Sequence, residues 1–224
     1  MADAPALRRA RPFSGAEAAA LPPVIGCDEV GRGALCGPVV VAAVWFEPRA
    51  LPVPLLAALD DSKRLTRPER ERLAPLIRGE ARVALAAGSA AAVDRLGLLV
   101  ATLSAMRRAV TRLGLAGPVR VDGRDRPEGL EACEAVIGGD RLCPQIAAAS
   151  ILAKVARDRL MRRLAVRHPG YGWETNVGYG TADHRAALTR LGPTRHHRMR
   201  FAPCAGAKSE APHVEPGAEP GARP

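Results

Sequence analysis

Val24-Ile25-Gly26-Cys27-Asp28-Glu29-Val30-Gly31-Arg32-Gly33 decides how this chain is read: a short apolar run opens into two adjacent carboxylates and then into a Gly-Arg-Gly turn. The apolar run predicts a buried strand over Val24 to Asp28 that delivers charge at its end, where a hard divalent cation can accept carboxylate oxygens. Gly31 and Gly33 leave backbone uncovered, so the turn can offer amide donors to a sugar or phosphate beside the Arg32 guanidinium. Neighbouring strand residues face opposite ways. Asp28 and Glu29 can therefore serve one site only if the strand ends or bulges there, which Gly31 would permit.

Outward from that stretch, Gly37 to Glu47, nearly all Val and Ala at its centre, predicts a second strand paired with the first as a hairpin. Beyond a Pro-rich connection and Asp60-Asp61-Ser62-Lys63, Thr66 with Pro68 and Glu69 has the cap, first-turn proline and acidic start of a helix. Arg82 to Ala87 is a predicted third strand. Leu99, Leu103, Met106, Val110 and Leu113 recur at helical spacing and stop at Gly114, so a helix is expected over Leu98 to Leu113. Val119 to Asp122 and Ala135 to Ile137 are further short apolar runs, each leading to an acid: Asp122 itself, and Asp140 after Gly138-Gly139. Pro144 opens a long helix to about Arg167, and a last amphipathic helix spans Thr181 to Leu191 before Gly192-Pro193. Strands alternating with helices make this an α/β chain whose ligands gather at strand ends. A loose arm is expected before Leu21 and a disordered tail beyond Cys204, where Ala, Pro, Glu and Gly dominate.

Composition narrows the function. The net charge is +10, and since residues 205–224 sum to −1, the body carries +11, as a protein that contacts a phosphate backbone would. Aromatics are only 3%, which excludes a broad base-stacking platform. The five cysteines form no C-x-x-C pair and read as small buried hydrophobes in a reducing, cytoplasmic protein. Neither a secretory signal nor a membrane-length apolar run is present. P-loop, nucleophile-elbow and dinucleotide fingerprints are absent too.

Asp28, Glu29, Asp122 and Asp140, each near an element end, could cluster around one or two Mg²⁺ or Mn²⁺ ions. Bare, such a cluster repels itself, so bound cations would both stabilise it and explain it. Asp122 is ambiguous, because Asp-Gly is also a common turn and Asp125 competes with it. Ser62 with Lys63, and Ser150 with Lys154 at i and i+4 of the long helix, suit phosphate oxygens. Tyr179, between Gly178 and Gly180, is free to pack on a sugar or base, with a core role as the alternative. His196-His197 reads as a basic surface turn rather than a chelating pair.

In order along the chain, Asp28-Glu29-Val30-Gly31-Arg32-Gly33, Asp61-Ser62-Lys63, Val121-Asp122-Gly123, Gly139-Asp140, Ala148 to Asp158 and Gly178-Tyr179-Gly180-Thr181 resemble bacterial ribonuclease HII. The resemblance runs from about Val24 to Pro203. It implies a ribonuclease H-like mixed sheet flanked by helices, with a C-terminal helical extension over about residues 160–203 of a catalytic unit at 21–203. It also implies hydrolysis of the RNA strand of RNA–DNA hybrids and nicking 5′ of single ribonucleotides in duplex DNA, leaving 3′-OH and 5′-phosphate ends. Asp28, Glu29, Asp122 and Asp140 would be the catalytic acids and would hold two divalent ions, Mn²⁺ or Mg²⁺. Gly31, Arg32 and Gly33 would hold the ribonucleotide 2′-OH, Tyr179 would pack on the junction sugar, and Ser62, Lys63, Ser150 and Lys154 would meet phosphates. A monomer working without a membrane is implied. Gln145 and Val177 depart from the family pattern, which usually has Glu and Lys there, and the loss at Val177 would weaken phosphate binding. Without the resemblance, a general metal nuclease or a non-catalytic basic nucleic-acid-binding protein would fit the same charge.

Overall fold

The computed structural model describes Phe13 and residues 20–205 of the 224. Strands β1 (Ile25–Val30) and β2 (Val39–Trp45) form an antiparallel hairpin in which Asp28 lies opposite Ala42. The short helix α1 (Val53–Ala58) leads to α2 (Arg67–Glu80), after which β3 (Arg82–Gly88) returns antiparallel to β2. Helices α3 (Ala90–Leu96) and α4 (Leu98–Leu113) precede β4 (Val119–Asp122), which is parallel to β1, and β5 (Cys133–Val136), parallel to β4. The mixed sheet thus has the order β3-β2-β1-β4-β5. The long helix α5 (Pro144–Arg167) is followed by α6 (Trp173–Asn176), α7 (Ala182–Leu191) and α8 (Ala202–Ala205), the helical C-terminal part. Among the described residues no helix is long and apolar enough to cross a membrane.

Local chemistry accounts for these boundaries. At α2 the Glu69 amide donates to Thr66 Oγ1 and the Glu69 carboxylate accepts the Thr66 amide, a reciprocal cap beside Pro68. At the far end of α4, Gly114 adopts φ 69° and ψ 26°, the left-handed exit that favours glycine. Alternate residues of β2 divide between two cores: Val41 and Ala43 pack on the α4 side, Ala42 and Val44 on the α5 side. A strand covered on both faces has no polar side, which is why this one is nearly all Val and Ala. Residues 145–153 of α5 are buried all round, as expected of a helix without a polar stripe.

Some expected limits move. β1 continues through Val30 instead of stopping at Asp28, and β5 begins at Cys133. Helices α1 and α3 carry no periodic signal long enough to read, the first lying among prolines at 52 and 54. Most of the arm expected over residues 1–20, and the tail from 206, lie outside the described residues. Phe13, within that arm, is buried in the core beneath α5, and Cys204 is fully buried in α8, so ordered structure reaches past residue 203.

Gly26 sets the approach of α5 to the sheet. A Cβ there would lie 2.3 Å from the Gln145 carbonyl carbon and 2.4 Å from the Ile146 nitrogen, both rigid backbone. Gly26→Ala is therefore expected to destabilise the protein by about 3 kcal/mol or more, read as a lowered urea midpoint at unchanged slope.

Candidate active site

The parallel partner of β1 stops early, and that builds the site. Pairing with β4 ends at Cys27 opposite Val121, while β1 runs on beside β2 to Val30. Asp28 is level with Asp122 at the end of β4, and Glu29 stands one residue beyond it; both line one cleft although β1 itself neither ends nor bulges there. Asp122, the last residue of β4, and Asp140, in the turn Gly139–Arg141, line the same cleft with Val30, Ser62, Lys63, Ser150, Lys154 and Tyr179. Its volume, about 340 Å³, is too small to enclose a duplex, so a nucleic acid would lie across it and insert only a backbone segment.

Two of the four acids are held by backbone amides. Asp28 Oδ1 accepts the Glu29 amide at 2.7 Å. Asp122 Oδ1 accepts the Gly139 amide at 2.8 Å, which ties it to the turn carrying Asp140. Asp125, the competing acid of that turn, is exposed and outside the cleft that Asp122 lines. Arg32 Nη1 lies 3.4 Å from Glu29 Oε1, and Glu29 Oε2 is buried with no partner.

Charge in the cleft is poorly compensated. Burial, then the charges of Glu29 and Asp122, hold the Asp28 carboxyl well above the usual range. Burial also raises Glu29, with Arg32 opposing it. Asp140 is pushed up to about 6 by burial and by the nearby Asp61 and Asp122. An orphaned buried carboxylate oxygen among mutually repelling acids fits a divalent cation, and Asp28, Glu29, Asp122 and Asp140 supply hard oxygen donors for it.

Among the described residues one other set of donors converges: Cys36, His184 and His197, all buried, with ligand atoms within 4.8 Å of one another. Its hydrogen bonds assign it to structure. The Thr194 amide donates to His197 Nδ1 at 2.8 Å, which leaves the His197 proton on Nε2, facing His184 Nε2 at 3.2 Å. His184 Nδ1–H in turn faces the Tyr179 carbonyl at 2.9 Å, and Trp173 Nε1 donates to His184 Nε2 at 3.0 Å. Burial holds His197 down to about 4, so this is a neutral relay with its lone pairs used.

The family model for Ribonuclease HII matches residues 25–204. The chain belongs to this family. Ribonuclease HII of Bradyrhizobium diazoefficiens is 53% identical over 189 residues, covering 84% of this chain and 71% of that one. Ribonuclease HII of Paramagnetospirillum magneticum is 52% identical, covering 81% and 91%. In the solved PCNA:RNase HII complex from Archaeoglobus fulgidus, a chain 28% identical superposes with a TM-score of 0.68, covering 86% of this chain and 98% of that one. Membership makes the chain a metal-dependent endoribonuclease acting on RNA–DNA hybrids.

The expected substrate residues divide. Lys63 is exposed at the cleft, and Lys154 Nζ lies 2.9 Å from Asp158 and 5.6 Å from the centre of the Tyr179 ring. Ser62 and Ser150, expected at phosphates, line the cleft with little exposure, and their hydroxyl oxygens, 2.7 Å apart, tie the loop at 61–63 to α5. His197 and the adjacent Arg198 are buried, which corrects the surface turn expected there. Gln145 Nε2 donates to the Phe46 carbonyl at 3.1 Å, a bond an ionised Glu could not make. Val177 stands at φ +43°, the one non-glycine with positive φ among the described residues. Sequence reasoning missed Asp61 as a neighbour of Asp140, and missed Arg157 beneath Gly31; nothing local separates that arginine from the rest of an arginine-rich chain.

Two outcomes are expected. Asp140 at about 6, against about 4 in an unfolded chain, makes the metal-free fold bind more protons than the unfolded chain across that window. Its stability contribution is then present at low pH and lost as pH rises through 6. A divalent ion stabilises the ionised form, so the rise in Tm caused by Mn²⁺ should be small at pH 5 and largest above pH 7 by scanning fluorimetry. Val177→Asn relieves a β-branched residue in the left-handed region and should raise stability by about 1 kcal/mol, roughly 2–4 °C in Tm.

Proposed function

We propose that this cleft reads a single ribonucleotide within duplex DNA and nicks on its 5′ side, in addition to cutting the RNA strand of hybrids. The observation that carries this reading is that the Gly-Arg-Gly loop and Tyr179 form one unit on the rim of the acid cluster. Ala34 bridges Tyr179, and the amides of Leu35 and Cys36 donate to the Gly178 carbonyl at 2.9 and 3.3 Å. A turn that offers backbone donors and an aromatic ring that packs on a sugar are thus presented together, which suits one ribose and its neighbour.

Asp28, Glu29, Asp122 and Asp140 would hold the divalent ions, with Mg²⁺ or Mn²⁺ serving. When bound, such ions supply a nucleophilic water at neutral pH and stabilise charge on the leaving 3′-oxygen. The chain's own groups orient the substrate. Lys63 and Lys154 face the cleft as cations for the phosphates on either side of the cut. Lys154 is aimed by its bond to Asp158 and steadied over the Tyr179 ring. Tyr179 in turn is fixed through its backbone carbonyl, which accepts from His184. Five buried cysteines, none in a disulfide, support a reducing cytoplasmic setting.

A duplex with one embedded ribonucleotide, set beside an all-DNA duplex, tests the reading. A nick immediately 5′ of the ribonucleotide is expected with Mg²⁺ or Mn²⁺ and none with EDTA. Asp122→Asn should lower kcat by at least about 10²-fold, more than the loss of a supporting group around a metal, whereas Asp125→Asn should stay within about twofold. Equal cutting of the all-DNA duplex would sink the proposal.

A further inference from the structure

Two guanidiniums occupy the interior directly beneath the Gly-Arg-Gly loop. Arg157 and Arg198 are fully buried, and among the described residues neither makes an ion pair. Arg157 donates to the carbonyls of Pro38 (3.0 Å), Val177 (2.8 Å) and Cys36 (3.0 Å). Arg198 donates to those of Arg32 (2.7 Å), Gly31 (2.7 Å) and, through two nitrogens, Gly37 (3.0 and 3.1 Å). Burying a cation is costly, and here backbone carbonyls supply the hydrogen bonds that offset it, with an aromatic ring over each guanidinium. Burial pulls Arg198 down to about 10, which still leaves it charged at neutral pH.

The direction of these bonds fixes the direction of their opposites. In a planar trans peptide the C=O and N–H point to opposite sides. With the Gly31 and Arg32 carbonyls turned inward to Arg198, the amides of Arg32 and Gly33 are turned outward, and those two residues are exposed while Gly31 is buried. A carbonyl that accepts from a cation also polarises the rest of its peptide chain of hydrogen bonds, which strengthens the outward N–H donors. The fork is itself held. The Arg198 amide donates to the Leu35 carbonyl at 2.8 Å, His197 beside it belongs to the buried relay, and the guanidinium lies 5.2 Å from the centre of the Phe201 ring.

We propose that Arg198 is the positioning residue of the ribose-reading loop: it turns two successive amides, those of Arg32 and Gly33, toward the 2′-oxygen and sharpens them as donors. This rests on the reading that the loop meets the 2′-OH. Lysine cannot substitute, because one ammonium lacks the flat fork that reaches three separate carbonyls.

The test uses the Mn²⁺-loaded enzyme and two duplexes. For each variant kcat and KM are measured on the embedded-ribonucleotide duplex, and Ki for the all-DNA duplex as competitor. KM and Ki do not depend on how much of a variant folds. Arg198→Lys is expected to raise KM about tenfold, the loss of one hydrogen bond to a bound group, and to lower kcat about 10²-fold, with Ki unchanged within about twofold. Phe201→Leu, which loosens the guanidinium while keeping it, should shift the ratio of Ki to KM in the same direction by about two- to threefold, and it decides the matter if Arg198→Lys does not fold. A ratio of Ki to KM equal to the wild-type value in the folded variants, with only the amplitude of turnover reduced, would show a merely structural arginine and overturn the proposal. A wild type that binds and cuts both duplexes alike would instead overturn the ribose-reading function beneath it.

Discussion

The contact of Gly26 with the first turn of α5 is the constraint on which the site depends. It lets the helix lie against the centre of the sheet at backbone distance, and everything the helix carries is then registered against β1 and the loop that follows it. Ser150 lines the cleft with Asp28, Lys154 stands over Tyr179, Arg157 sits where a Cβ on Gly31 would fall, and Met161 packs under Gly37 and Gly178. Positions 150, 154, 157 and 161 recur at helical spacing, so they form one stripe along α5. That stripe faces, in order, the acid cluster, the Tyr179 ring and the Gly-Arg-Gly loop. A shift of α5 by one residue would rotate it away from all of them at once.

Charge is managed in opposite ways on the two sides of this stripe. On the cleft side, carboxylates are left without enough cations, one oxygen of Glu29 having no partner, so the chain itself leaves the cluster unbalanced and open to divalent metal. On the inner side, two arginines make no ion pair among the described residues and are held by backbone carbonyls, most of them in the loop they support. Pairing the two sets would quench both. They are kept apart by the loop at 31–37, which is fixed from below by the cations and presents its amides above, next to the acids. The exposed Arg32 bridges the two regions weakly through its 3.4 Å contact with Glu29.

Much of this architecture was legible in the sequence because it rests on local rules. Periodicity placed α4, Pro144 marked the start of α5, and a cap with a first-turn proline and an acidic start placed α2. Apolar runs placed the strands, and an Asp-Glu pair before Gly-Arg-Gly marked the cleft. What could not be read depends on contacts between distant segments. That Asp122 rather than Asp125 lines the cleft follows from where β4 stops and from the Gly139 amide, neither visible in an Asp-Gly turn. That Ser62 and Ser150, 88 positions apart, share a hydrogen bond at the cleft is likewise invisible in either segment alone. Arg157 and Arg198 were indistinguishable from the other arginines of a basic chain, and the polar letters around His197 disguised a buried segment.

Val177 shows how these constraints override local preference. A β-branched residue belongs in extended or right-handed backbone, and here it stands at φ +43° between Asn176 and Gly178. The surrounding bonds leave it no other conformation. Its carbonyl must accept from Arg157, the Gly178 amide donates to Asn176 Oδ1 at 2.8 Å, and the Tyr179 amide donates to the Asn176 carbonyl at 2.9 Å. The side chain packs with the cluster of Met161, Tyr171 and Trp173, which recovers some of the strain as apolar burial. What position 177 contributes to the fold is thus a carbonyl direction, and the same turn fixes Tyr179, over which Lys154 stands in its bond to Asp158.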